Sequence, residues 1–93
     1  MTVGTLSLEI VFPGCRSLKQ KRAVVKSIIS RTRNKFNVSI AETGAAGSSS
    51  RGNITIAAVS NERRHLNSML DKALVFVESL RLADITDVSL EIF

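Results

Sequence analysis

Tryptophan and tyrosine are absent from this 93-residue chain, and cysteine, histidine and proline occur once each. A lone Cys15 excludes an internal disulfide and any multi-cysteine zinc site, and a single thiol fits a reducing compartment. It also removes the paired thiolates that a metal-delivery protein needs. His65, the one histidine, is far in sequence from Cys15, and no acid is marked to orient it, so a nucleophile–base pair is not indicated. Cys15 precedes Arg16 and a helix start, a setting that can stabilise a thiolate, yet it reads more simply as a small loop residue. No apolar run approaches the length of a bilayer span. The start Met1-Thr2-Val3-Gly4 lacks the basic-then-apolar pattern of a signal peptide. The expectation is a cytoplasmic protein with no membrane partner, no catalytic residue, no cofactor and no metal.

Acids are missing from one stretch in particular. Between Glu9 and Glu42 lie eight cations, Arg16, Lys19, Lys21, Arg22, Lys26, Arg31, Arg33 and Lys35, and no Asp or Glu. Residues 1–52 hold nine Lys/Arg against two Asp/Glu, whereas residues 53–93 hold four against six, so +7 and −2 give the formal charge of +5. A chain polarised in this way favours polyanionic partners such as RNA, or the acidic surface of a protein, and implies no reaction.

With 44% hydrophobic and 23% charged residues, the chain has an ordinary globular composition and length for one domain, 1–93. From Val3 to Phe12, Leu6, Leu8, Ile10 and Phe12 alternate with Thr5, Ser7, Glu9 and Val11, the period-two pattern of a half-buried strand. Pro13-Gly14 ends it. Ser17 and Gln20 then form a capping box that opens a helix. At about 100° per residue, Leu18, Val25, Ile29, Thr32 and Phe36 share its apolar stripe, flanked by Ile28 and Lys21. Phe36 to Glu42 and Asn53 to Val59 alternate again around Thr43–Gly52, which predicts a hairpin with a long connection. Ser60 or Asn61 caps a second helix with Leu66, Met69, Leu70, Ala73, Phe76, Val77 and Leu80 as its apolar face. In a last strand, Thr86 to Phe93, the face carrying Val88, Leu90 and Ile92 is expected to be buried.

The order βαββαβ predicts an α+β, ferredoxin-like domain: a four-stranded antiparallel sheet in order 4-1-3-2, both helices on one face, and an open face displaying Thr5, Ser7, Glu9, Ser39, Thr55, Ser89 and Glu91. Such a fold hosts many functions. RNA-recognition motifs share its topology but stack bases on aromatics of the central strands; here the outward positions are Thr5, Ser7, Glu9, Thr55, Ala57 and Val59. Glu9 and Glu91 meet across the first and last strands on this reading, as ordinary wet-face polarity.

The basic helix remains. Lys19, Arg22, Lys26 and Arg33 fall within about 60° of one another along its length. Cations at the front of a helix oppose the macrodipole at a few tenths of a kcal/mol each, whereas an incoming phosphate gains from both the free N–H groups and the cations. Arg16, Lys19, Arg22, Lys26 and Arg33 are therefore the candidate nucleic-acid contacts, and a solvated helix face is the bland alternative. The alternative function is a homo-oligomeric structural or small-ligand-binding module without nucleic acid, in which the basic half of one subunit meets the acidic half of another. The neutral edge strand Phe36 to Glu42 carries no Pro or internal charge, which makes homodimerisation through it the competing partner expectation.

Several segments together, Val3-Gly4, Pro13-Gly14 with Arg16-Ser17-Leu18-Lys19 and Lys21-Arg22, Phe36-Asn37-Val38-Ser39-Ile40-Ala41-Glu42, and Ala57-Ala58-Val59-Ser60-Asn61, resemble the YlxP-like family, a bacterial domain of unknown function. The resemblance spans essentially the whole chain. It implies a ferredoxin-like domain and, because members are often encoded near translation-initiation and ribosome-maturation factors, a connection to RNA or the ribosome. It carries over no catalytic residue. Cys15 departs from the usual small apolar residue, and Gly44–Gly52 lacks the acidic residue and Trp-Gln pair of many members.

Overall fold

A computed structural model describes residues 1–93. The elements run β1 (Thr2–Val11), α1 (Leu18–Lys35), β2 (Ser39–Gly44), β3 (Arg51–Ser60), α2 (Arg63–Ser79) and β4 (Asp84–Ile92). All strand pairs are antiparallel and the sheet order is β2-β3-β1-β4. This is the expected ferredoxin-like α+β architecture.

The alternation of β1 and β3 is realised in register. Leu6, Leu8 and Ile10 pair with Ile56, Ile54 and Gly52, and their side chains face the helices, buried together with Phe12, Ile40 and Ala58. Val25 and Ile28 from α1, and Leu66, Leu70, Ala73 and Val77 from α2, complete the core. Gly4 is a requirement of that packing: a Cβ there would lie 2.9 Å from side-chain carbons of both Leu66 and Leu70, so only hydrogen lets α2 approach β1. On the open face Ser7, Glu9, Ser39, Ser89 and Glu91 are exposed and Thr5 and Thr55 half-buried. Hydroxyls link strands there, Ser7 to Thr55 at 3.2 Å and Thr43 to Thr55 at 2.7 Å.

The structure corrects five local expectations. The second strand begins at Ser39 rather than Phe36, because Phe36 caps α1, its N–H bonded to the Thr32 carbonyl, and its ring packs edge-on against Phe76 at 5.6 Å. Pairing extends to Gly44 and resumes at Arg51, so the connection is shorter than expected; Ala45 takes a positive φ of 56° and the Ser48 hydroxyl accepts from the Ser50 and Arg51 amides. Neither Ser60 nor Asn61 caps α2; Glu62 holds the cap position without a side-chain bond, while Ser60 Oγ accepts from the Glu62 amide. The β1–β4 register is uniform from Gly4 to Glu9 and sets Asp87 opposite Glu9 and Glu91 opposite Thr5, so Glu9 and Glu91 do not face each other; the ladder shifts only beyond Glu9.

The fifth correction concerns β4. Val88 and Leu90 do share the helix side with Leu8 and Leu6, their register partners, but α2 packs over β1 and β3 and leaves them 42% and 48% exposed. Alternation fixes which side a residue faces; whether anything covers that side depends on where the helix lies.

Candidate nucleic-acid interface

The start of α1 is built as its sequence indicates, with one adjustment. Ser17 Oγ accepts from the Gln20 amide at 3.1 Å, and Gln20 Oε1 in return accepts from the amide of Arg16, one residue ahead of the cap, at 2.7 Å. This reciprocal pair fixes the direction in which the chain enters the helix and holds Arg16 at its mouth. No acid occupies the first turn.

Lys19, Arg22, Lys26 and Arg33 are all exposed on α1, and Arg16 is exposed just ahead of it. Arg33 is partly committed: its Nη2 donates to the Ile40 carbonyl at 3.1 Å, which brings this flank of the helix over β2 and ties the ridge to the sheet edge. None of the five makes an ion pair, for the chain's single salt bridge lies elsewhere. All five cations stand outside the four surface concavities, so the ridge is a convex face and not a rim around a small-molecule cleft.

That salt bridge accounts for the one cation of the run that flanks the apolar stripe. Lys21 belongs to the eight-cation run, yet it is fully buried, with Nζ 2.6 Å from Glu42 Oε2, 3.0 Å from the Ala45 carbonyl oxygen and 5.9 Å from the centre of the Phe12 ring. It therefore joins α1 to β2 and to the turn after it, and presents no charge to a partner. The signal was its angular position beside Ile28 and Val25, which outweighs its residue type. Thr32, also fully buried on that stripe, satisfies its hydroxyl by donating to the Ile28 carbonyl at 2.7 Å. Lys35 leans the other way, its Nζ 5.4 Å from the centre of the Phe76 ring.

The residues weighed for chemistry are dispersed. Cys15 is half-buried against the core, its amide bonded to the Phe12 carbonyl at 3.1 Å, and His65 is exposed on α2. No helix is long and apolar enough to cross a membrane.

A family model described as "Protein of unknown function (DUF503)" matches residues 3–90. An uncharacterized protein, YlxP, of Bacillus subtilis (strain 168) is 42% identical over 77 residues, covering 83% of this chain and 84% of the relative.

Proposed function

The chain belongs to the DUF503 family of proteins of unknown function, and from that premise we propose that it is a binding protein, not an enzyme, whose first helix docks on structured RNA, ribosomal RNA foremost. The observation that carries this reading is the row of exposed cations Arg16, Lys19, Arg22, Lys26 and Arg33 on a convex helix face, none of them with an acidic partner and only Arg33 bonded to a neighbouring element. A solvated face that served stability alone would interleave acids, and acids at the first turn would also suit the helix dipole. A convex row of point charges instead matches a polyphosphate backbone, whose contacts position a protein and carry little base specificity. Phosphate at the Gly14 to Arg22 end would meet the unpaired N–H groups of the first turn as well as Arg16 and Lys19.

Fluorescence anisotropy with a labelled ribosomal RNA fragment tests the proposal. The double reversal Lys19→Glu with Arg22→Glu abolishes binding and leaves the far-UV circular dichroism spectrum unchanged. Wild-type affinity in that variant at physiological salt would reduce the ridge to a solvated face. The second reading is self-association through β2, which has a sheet neighbour on one side only. It is the weaker one, because the Arg33 bond to the Ile40 carbonyl already engages part of that strand's backbone.

A further inference from the structure

The opposite edge of the sheet is unprotected in three separate respects. Val3 and Phe93 exchange both backbone bonds, N–H of Val3 to O of Phe93 at 3.4 Å and N–H of Phe93 to O of Val3 at 2.7 Å. In an antiparallel ladder such pairs alternate. With Thr5, Ser7 and Glu9 opposite Glu91, Ser89 and Asp87, it is these β4 residues that bond to β1, and Val88, Leu90 and Ile92 turn their N–H and C=O groups away from the sheet. Val88 and Leu90, which carry free backbone groups, also carry the uncovered apolar side chains, 42% and 48% exposed. On the open face Asp87 stands directly opposite Glu9, a like-charge pair with no cation bonded to either, and Glu91 lies further along the same strand.

We propose that β4 receives an added antiparallel strand from a basic partner protein, an extended segment in which apolar residues alternate with Lys or Arg. The backbone of such a segment completes the ladder at Val88, Leu90 and Ile92, its apolar side chains cover Val88 and Leu90, and its cations lie beside Asp87 and Glu91. Charge selects this occupant over a second copy. A two-fold β4–β4 pairing with Val88 opposite Leu90 sets Asp87 opposite Glu91 twice, and any such pairing gathers Asp84, Asp87 and Glu91 of both copies at one seam. The β2 edge of another copy is a poorer donor strand, because the Arg33 side chain already occupies its Ile40 carbonyl and its Glu42 is paired with Lys21, so it brings no cation of its own to Asp87 and Glu91.

The test uses the full chain, isotope-labelled, titrated with the capped peptide VKVTIR and followed by amide chemical shifts and hydrogen exchange. Expected are shifts centred on residues 86–93 and slowed exchange of the Val88, Leu90 and Ile92 amides. N-methylation of the central valine, which faces Leu90, weakens binding by roughly tenfold, the equivalent of one lost hydrogen bond. The peptide VEVTIE does not bind the wild type, and Asp87→Lys with Glu91→Lys reverses the preference between the two peptides. Equal binding of the N-methylated peptide, or shifts centred on β2, would overturn the proposal. So would protection of Val88, Leu90 and Ile92 that appears in the protein alone as its concentration rises, since a second copy would then be the occupant.

Discussion

Lys21 offers the sharpest perturbation, because its role separates from that of every neighbouring cation. Replacing Glu42 by Leu leaves a fully buried ammonium with only the Ala45 carbonyl and the Phe12 ring as partners. Stranding a buried charge in this way costs about 3–5 kcal/mol, a large share of the about 5–15 kcal/mol that holds a domain together. Replacing Lys21 by Met strands Glu42 instead, but that side chain keeps 19% of its exposure and can rehydrate, so the loss is smaller, about 2–3 kcal/mol. The double variant removes both charges and fills the space with apolar groups; it returns to within about 1 kcal/mol of the wild type, because apolar replacement of a buried pair is near neutral. Urea denaturation followed by circular dichroism measures all four species. Raising the salt concentration leaves the differences in place, since a buried pair is poorly screened. The reasoning fails if the double variant loses the sum of the two single losses, or if Lys21→Met is the costlier change.

Other outcomes follow from burial and geometry. Ile56→Ala costs about 2–5 kcal/mol in the same assay, whereas Leu90→Ala, at half exposure, and Thr55→Ala, on the open face, each cost less than about 1.5 kcal/mol; equal losses at Ile56 and Leu90 would mean that β4 is covered after all. Gly4→Ala forces Leu66 and Leu70 to move and destabilises by about 1–3 kcal/mol, which a thermal melt resolves. Ser17→Ala removes the acceptor for the Gln20 amide and lowers stability by about 1 kcal/mol.

Most of the fold is legible in the chain because two periodicities dominate it. Period two in β1, β3 and β4 sets which side each residue faces, and the stripe from Leu66 to Val77 fixes α2. What escaped depends on contacts distant in sequence. Phe36 alternates with its successors as a strand residue would, but its ring is drawn to Phe76 on the other helix, and the strand starts three residues later. Val88 and Leu90 face the helix side as their pattern requires, yet nothing local says that α2 stops short of them. The ridge was readable as an angular cluster. Its limits were not, since the burial of Lys21 needs Glu42 and Ala45 brought in from the hairpin, and the bond of Arg33 needs Ile40 at the neighbouring edge.

The central claim, phosphate binding by the first helix, is tested most directly by the salt dependence of affinity for a ribosomal RNA fragment. Each phosphate neutralised contributes roughly 0.7 to 0.9 to the slope of log affinity against log salt, so a footprint of four gives a slope of about 3. Removing a single ridge cation, as in Lys26→Ala, lowers that slope by about one such increment and weakens binding to a similar degree whatever the RNA sequence. Lys21→Met, which alters no exposed charge, leaves the slope as it was. A slope near zero, or one that Lys26→Ala fails to reduce, would contradict the account.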